Sequence, residues 1–169
     1  LSTATTYTVT ATNTGGSDTA TVSITVNDVT PSGLDYDPDS FTLTNGTAMT
    51  SVTPSITGVI TSWSISPSLP AGLTFSTTDG TISGTPTELS ANTTYTITAT
   101  NTGGSETATV TITVNAVVPS SLDYDPDTYV LTNGTAMTSV TPIVSGGEVV
   151  TWTISATLPA GLTFSTTHG

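Results

Sequence analysis

The sequence predicts an all-β chain of tandem antiparallel β-sandwiches, and two observations lead to this fold class. The first is repetition: "LDYDPD" at 34–39 returns at 122–127, and "LTNGTAMTSVTP" at 43–54 returns at 131–142, each time 88 residues later. The second is alternation, because "TYTITAT" and "TATVTITV" place apolar residues between threonines with a period of two. A period of two is typical of strands that are buried on one face. The repeats are therefore compact β-domains rather than helical units.

Each repeat contains about seven short strands. "SFTLT", "SVTPSIT", "SWSIS", "GLTFS" and "GTISG" are candidate strands between Asn-Gly, Pro and Gly turns, and "NTGGSE" joins the last two strands through a Gly-Gly turn. From Trp63 to Trp152 the spacing is 89, because "SITGVITSW" is replaced by "IVSGGEVVTW" with one extra residue in a turn. Seven short strands with a Trp in the third predict an immunoglobulin-like sandwich.

The phase of the repeat divides the chain into three parts. Residues 1–28 correspond to the C-terminal part of an Ig-like repeat, 31–117 to a complete repeat, and 119–169 to the N-terminal part of the next. The first and last parts together lack only the counterpart of 81–88, "TISGTPTE". We therefore expect one complete sandwich flanked by two partial ones.

Partial sandwiches expose apolar residues and strand edges, which predicts association. Two interpretations remain open: the chain is a window of a longer covalent tandem array, or it is a subunit completed by donor-strand complementation. In both, the partners are copies of the chain or neighbouring repeats in head-to-tail contact, with 1–28 completing 119–169. A head-to-tail contact that does not close produces a linear fibre.

Composition excludes several classes of partner. There is no Lys or Arg against 12 Asp and Glu, so the formal net charge is -12. Such a surface repels nucleic acid and anionic lipid. Since no run of 18 apolar residues occurs, we expect no membrane insertion in this segment. The absence of Cys excludes disulfides and thiolate metal sites.

Acidic "DYDPD" loops are the candidate metal sites. Alternating carboxylates near a domain junction can supply the hard oxygen ligands that Ca²⁺ prefers, and Ca²⁺ is the one cofactor considered. The alternative is a solvated acidic turn, since the Gly and closing Glu of an EF-hand loop are missing. The candidate ligands are Asp35, Asp37, Asp39, Asp123, Asp125 and Asp127.

Three Asn-x-Thr sequons, at Asn45, Asn92 and Asn133, are candidate N-glycosylation sites. His168 is the single His and stands where the other copy has Asp79, so we interpret it as a turn residue rather than as part of a triad. No nucleophile elbow or phosphate loop occurs, and we expect no enzyme activity.

Aromatic residues recur at equivalent positions of the repeat. Trp63, Trp152, Tyr95 and Tyr7 could stack on a carbohydrate, but each lies within an alternating strand, which favours a place in the core.

"SFTLTNGTAMTSVTP", "SWSISPSLPAGLTFSTTDGTISGTPT" and "TYTITATNTGGSETATVTITV" together resemble the He-PIG repeat of bacterial and archaeal surface proteins, which is related to the cadherin-like sandwiches of dystroglycan type. The resemblance covers nearly the whole chain, and "LPAGLTFSTTDGTISGTPT" is its most specific part. It implies an extracellular sandwich strung in tandem in surface proteins, stalks and adhesins, without implying a ligand or catalysis.

The expected function is that of a structural Ig-like segment of an extracellular cell-surface filament or stalk. The alternative is a module of a repetitive adhesin that binds a glycan or a protein. Near-identity between the copies favours a spacer, because a binding repeat more often carries a distinctive loop.

Overall fold

The computed structural model describes residues 1–169, apart from the side chain of Ser2, and its regular elements are all strands. The prediction of an all-β chain is therefore confirmed. The chain divides into two compact units, 1–115 and 116–169. The strands are β1 (Ser2–Asn13), β2 (Gly16–Val26), β3 (Ser32–Asp35), β4 (Ser40–Thr44), β5 (Ser55–Thr57), β6 (Ser62–Ser66), β7 (Leu73–Phe75), β8 (Ile82–Gly84), β9 (Ser90–Asn101), β10 (Gly104–Asn115), β11 (Pro119–Asp123) and β12 (Ile143–Gly146).

A four-stranded sheet in the order β4-β10-β9-β6 forms one layer of the middle repeat. Its centre is the β9–β10 hairpin, which the Gly-Gly turn closes with Asn101 opposite Gly104. Strand β4 lies parallel to β10, and β6 lies antiparallel to β9. The two outer strands β4 and β6 thus each depend on the hairpin for their only neighbour in this sheet.

Two strand pairs, β3–β5 and β7–β8, form the opposing layer. A bridge between Val52 and Ile82 connects them, with backbone hydrogen bonds of 3.0 and 2.9 Å. The core between the layers is apolar because alternate residues of β9 and β10 point inward, whereas the intervening threonines remain at least partly exposed. Its buried members are Leu34, Tyr36, Val52, Trp63, Leu73, Ile82, Tyr95, Ile97, Ala99, Val110, Ile112 and Val114.

The first 26 residues form a two-stranded antiparallel hairpin, β1–β2, with Tyr7 opposite Val22 and Asn13 opposite Gly16. This is the register of β9–β10, in which Tyr95 lies opposite Val110 and Asn101 opposite Gly104. The hairpin therefore reproduces the last two strands of the repeat.

Unit 116–169 retains only the pair β11–β12, the counterpart of β3–β5. Within the described chain, segments 128–132 and 151–155, the counterparts of β4 and β6, form no strands. The reason is that their partner in the middle repeat is the β9–β10 hairpin, which this unit does not contain. Strand formation in this layer therefore requires the hairpin.

Candidate self-association site

The hairpin face is one half of the candidate site, and we define it as the apolar side of β1–β2: Tyr7, Val9, Ala11, Val22, Ile24 and Val26. Its side chains are exposed, with Val9 at 58% and Ile24 at 48%. The equivalent Ile97 and Ile112 of the middle repeat are both at 0%. The hairpin therefore carries the side chains of a sandwich core, and the described part of the chain leaves them exposed.

The cleft is the other half, and it lies entirely within unit 116–169. Its volume is about 890 Å³, and its lining includes Leu122, Tyr124, Trp152, Ile154, Leu162 and Phe164. These residues correspond to Leu34, Tyr36, Trp63, Ile65, Leu73 and Phe75, all of which belong to the core of the middle repeat or pack against it. The cleft is thus the part of the core surface that adjoins β9 and β10 in the middle repeat: Trp63 and Ile65 lie beside β9 in the same sheet, and the other four belong to the segments of the opposing layer.

Residues of the cleft are more exposed than their counterparts in the middle repeat. Leu34 is 8% exposed, whereas its counterpart Leu122 is 57% exposed. Local packing is nevertheless kept: a Cβ on Gly169 would lie 2.7 Å from the ring of Trp152, just as a Cβ on Gly80 would lie 2.7 Å from the ring of Trp63. The cleft wall is therefore formed locally, and what it lacks is its apolar cover.

A polar clamp centred on Asn101 holds the linker that precedes the middle repeat. Asn101 is 6% exposed, and its Nδ2 donates to the carbonyl oxygens of Val29 at 2.7 Å and Val59 at 2.9 Å. Its Oδ1 accepts from the backbone N–H groups of Gly103 at 2.8 Å and Gly104 at 3.1 Å. Both amide hydrogens and both lone pairs are therefore used, so the amide is fully satisfied although it is buried.

Two threonines extend this clamp along the linker. Asp28 donates its backbone N–H to Thr102 Oγ1 at 2.9 Å, and that hydroxyl donates to Asp28 Oδ2 at 2.8 Å. Thr30 Oγ1 donates to the Gly103 carbonyl at 2.9 Å. A Cβ on Gly103 would lie 2.0 Å from the Asp28 carbonyl oxygen, so the close approach requires glycine there.

Sequence reasoning missed the clamp because "NTGGS" is also an ordinary hairpin turn. The available signal was the recurrence of the whole phrase, Asn-Thr-Gly-Gly-Ser, at 13–17 and 101–105. The hairpin turn by itself requires the two glycines, but it does not require the Asn-Thr pair that precedes them. The hydrogen bonds that Asn101 and Thr102 make to the linker account for this pair.

The acidic loops lie on the surface. Asp35 and Asp37 are exposed on either side of the buried Tyr36, because successive residues of an extended chain point in opposite directions. The remaining candidate ligands are exposed as well: Asp39, Asp123, Asp125 and Asp127. Among the described residues, no group of three His, Cys, Asp or Glu side chains is arranged to hold a metal ion. Calcium binding at these residues stays a prediction.

The three sequons differ in accessibility. Asn92 and Asn133 are exposed. Asn45 is half-buried, its backbone N–H donates to the Asn115 carbonyl at 2.8 Å, and its Oδ1 is buried without a partner in the described part of the chain. The exposed pair are therefore the better acceptors for a glycan.

Tyr36 and Asp79 are the groups with perturbed protonation. Burial, and after it the charge of Asp79, raises the pKa of Tyr36 well above its ordinary value, and the phenol donates to the Gly80 carbonyl at 2.6 Å. Hydrogen bonds from Ser76 and then Thr81 lower the pKa of the exposed Asp79. Both effects belong to one turn of the core wall, which indicates a structural role.

His168 occupies the Asp79 position of the second copy. It is exposed, and its Nδ1 lies 2.8 Å from Thr167 Oγ1 and 3.4 Å from Ser165 Oγ. Both partners are in its own turn. The structure therefore places His168 in the turn that the sequence predicted for it.

The aromatic residues of the middle repeat are more buried than their counterparts in the rest of the chain. Trp63 and Tyr95 are buried at 8% and 2%, which confirms their predicted place in a core. Tyr7 is 51% exposed and Trp152 is half-buried, contrary to that expectation, because each belongs to a partial repeat without the opposing layer.

The two-layer middle repeat has the architecture of an immunoglobulin-like β-sandwich. The family model described as "Putative Ig domain" (He_PIG) matches residues 28–115, and the chain belongs to this family. No curated protein matches the chain.

Solved structures to which the chain is similar include two titin structures and extracellular domains of a Drosophila protein. An I-band fragment of titin has a TM-score of 0.42 and 17% identity over 69% of this chain and 43% of its own. A chimeric titin tandem carrying a fibronectin peptide has a TM-score of 0.39 and 22% identity over 67% and 65%. Extracellular domains 3–5 of Drosophila OTK have a TM-score of 0.40 and 20% identity over 67% and 40%. The chain thus spans less than two thirds of the length of each.

Among the described residues, the structure contains no helix that is long and apolar enough to cross a membrane.

Proposed function

We propose that the chain is a structural Ig-like segment of an extracellular cell-surface filament or stalk, in which copies or neighbouring repeats contact each other head to tail. The observation that carries this proposal is the pair of uncovered apolar surfaces, the hairpin face and the cleft. They correspond to complementary parts of one sandwich core: the hairpin face to the side chains of β9 and β10, and the cleft to the residues that surround those strands. Contact between the hairpin face and the cleft therefore covers the apolar side chains of both surfaces.

Energetics favour association of these surfaces. An isolated two-stranded hairpin is marginally stable in water, and it gains stability when an apolar face is covered. Burial contributes about 25 cal/mol per Å² of apolar surface, so covering six apolar side chains of a hairpin provides a substantial driving force. Because the face and the cleft lie in different units, each chain has one donor and one acceptor, which is the requirement for a linear series.

The linker clamp suits a segment that transmits mechanical tension along the chain. Asn101 joins the linker at Val29 to the β9–β10 turn and to the loop at Val59. Asn101 and Thr102 both form hydrogen bonds with the linker backbone. These hydrogen bonds oppose detachment of the linker when the chain is pulled. The repeat therefore meets its preceding segment through a fixed joint.

Electron microscopy and sedimentation velocity of the purified chain test the proposal. We expect beaded linear assemblies whose average length increases with protein concentration. Ile24→Asp, on the hairpin face, should abolish them, whereas the matched control Thr25→Asp, on the opposite side of the same strand, should retain them. A chain that stays monomeric from micromolar to millimolar concentration would refute head-to-tail assembly.

Glycan analysis of native material tests the extracellular assignment. We expect N-linked glycans at Asn92 or Asn133 in preference to the half-buried Asn45. A native mass equal to that of the bare 17.0 kDa polypeptide would contradict glycosylation.

A further inference from the structure

We infer that the cleft binds the β1–β2 hairpin of a second copy in the register of β9–β10, and that Asn13 of the incoming hairpin locks onto the linker carbonyl of Val117. This inference rests on the head-to-tail assembly proposed above and specifies its contact. The occupant is a second copy because the required side chains are already present in this sequence.

The middle repeat provides the pairing scheme. Strand β10 pairs in parallel with β4, placing Ile112 opposite Phe41. Shifting both strands by one repeat places Ile24 of the donor opposite Tyr129 of the receiving copy. Segment 128–132, which has no strand partner in its own unit, then becomes an outer strand of a sheet.

The other side of the hairpin follows the same rule. Strand β6 pairs antiparallel with β9, placing Ser64 opposite Thr98. The counterparts are Thr153 of the receiving copy and Thr10 of the donor. Segment 151–155 thereby gains the neighbour it lacks.

Side-chain identity supports this occupant. Six core-facing positions of β9–β10 recur on the hairpin face with a single change, Ile97 to Val9. An Ile-to-Val change keeps the shape and removes one methylene, which a core tolerates. Of the buried core residues of the middle repeat, only Ile82 in β8 has a counterpart neither on the hairpin face nor in unit 116–169, so the docked pair lacks β8 but contains the other core positions.

Asn13 supplies the lock. In the middle repeat the amide of Asn101 donates to Val29 and Val59; the counterpart of Val29 is Val117, and that of Val59 lies in the turn 147–148, where the second copy has one extra residue. In its own hairpin Asn13 uses only Oδ1, which accepts from the Gly15 backbone N–H at 2.8 Å among the described hydrogen bonds. Its two amide hydrogens are therefore free to bind the carbonyl oxygens of a receiving copy.

Disulfide trapping tests the register, since the chain has no Cys of its own. We mix two single variants, Thr10→Cys and Thr153→Cys, under mild oxidation and expect a disulfide dimer at twice the mass of 17.0 kDa. The matched control mixes Thr10→Cys with Ser64→Cys, because Ser64 already faces Thr98 and should not react. Equal dimer yields in both mixtures would overturn the inference.

Asn13→Asp tests the lock while retaining the Oδ1 acceptor that the turn uses. We expect the dissociation constant of the assembly to increase at least about tenfold, because both amide donors are lost and a carboxylate then faces two carbonyls. The control Asn133→Asp, in an exposed turn, should leave it unchanged. An unchanged constant for Asn13→Asp overturns the lock.

The outcomes separate this inference from the function on which it rests. Filaments by microscopy without Thr10–Thr153 trapping would retain the head-to-tail fibre and reject the register. A disulfide formed within a single chain bearing both substitutions, with no dimer in the mixture, would show that each hairpin fills its own cleft and would reject both.

Discussion

At the scale of the residue, a single buried amide connects the turn of a hairpin to an interdomain linker. Asn101 makes four hydrogen bonds with backbone groups of three different segments. No apolar residue can replace it without leaving buried carbonyl and N–H groups unpaired. The structural importance of this position therefore exceeds that of an ordinary turn residue.

Asn101→Ala should destabilise the middle repeat by about 2–4 kcal/mol, because four hydrogen bonds are lost and their backbone partners are left unsatisfied. Urea unfolding followed by Trp63 fluorescence, in a Trp152→Phe background, measures the change. Asn13→Ala in the same background is the control and should cost the monomer less than about 1 kcal/mol, since Asn13 makes one described side-chain hydrogen bond. Equal losses would contradict the clamp.

Tyr36 gives the middle repeat an alkaline limit. Its pKa is raised in the folded state, so its contribution is complete below the unfolded pKa of about 10 and is lost as pH increases beyond it. Tyr36→Phe should weaken this alkaline loss while costing about 0.5–1.5 kcal/mol at neutral pH through the hydrogen bond to Gly80. Unfolding free energies from pH 7 to 11 provide the test, with Tyr129→Phe in the other unit as control. An unchanged alkaline slope would contradict the assignment to Tyr36.

At the scale of the element, a strand in this chain exists where its partner is present. β11 and β12 form in unit 116–169 because they pair with each other. Segments 128–132 and 151–155 have nearly the sequences of β4 and β6, yet they form no strands without a hairpin between them. Pairing therefore outweighs local propensity, as expected for β structure.

Ile112→Ala and Ile24→Ala form a matched pair at equivalent positions of two hairpins. Ile112 is 0% exposed, so its truncation should destabilise the middle repeat by about 2–5 kcal/mol. Ile24 is 48% exposed, so its truncation should cost the monomer less than about 1 kcal/mol while weakening assembly. Denaturation at low protein concentration and sedimentation at high concentration separate these effects. Similar monomer losses for both variants would show that the hairpin face is already covered within one chain.

At the scale of the whole molecule, charge opposes the association that the apolar surfaces favour. The formal net charge is -12, and there is no Lys or Arg to form an ion pair across an interface. The head-to-tail contact that we propose therefore rests on apolar burial and hydrogen bonds rather than on ion pairs. The same charge keeps unassembled chains apart.

Salt should strengthen assembly, because it screens the repulsion between chains. The Debye length decreases from about 30 Å at 0.01 M to about 8 Å at 0.15 M salt, and we expect the dissociation constant to decrease several-fold over this range. Sedimentation equilibrium measures it. MgCl₂ and CaCl₂ at matched ionic strength are the controls, and an additional gain with Ca²⁺ alone would support the predicted ligands Asp35 to Asp39 and Asp123 to Asp127. Weaker assembly in salt would contradict an apolar contact.

The class of fold, the repeat and most of the core could be predicted from the amino-acid sequence alone. Alternation predicted which side of β9 and β10 is buried, because a strand directs successive side chains to opposite faces. Repetition matched Tyr7 with Tyr95 and Trp152 with Trp63. Alternation and repetition are both properties of the amino-acid sequence itself, so they can be recognised without the structure.

Which copies of that pattern are covered depends on the packing of the folded chain. Tyr7 and Tyr95 stand in nearly identical stretches of sequence, but one is 51% and the other 2% exposed, because burial depends on an opposing layer that no local pattern encodes. The linker clamp is decided in the same way, since Asn101 and Val29 are brought together by the fold across 72 residues. Burial and long-range hydrogen bonds depend on which surfaces come into contact. A local sequence pattern does not specify those contacts.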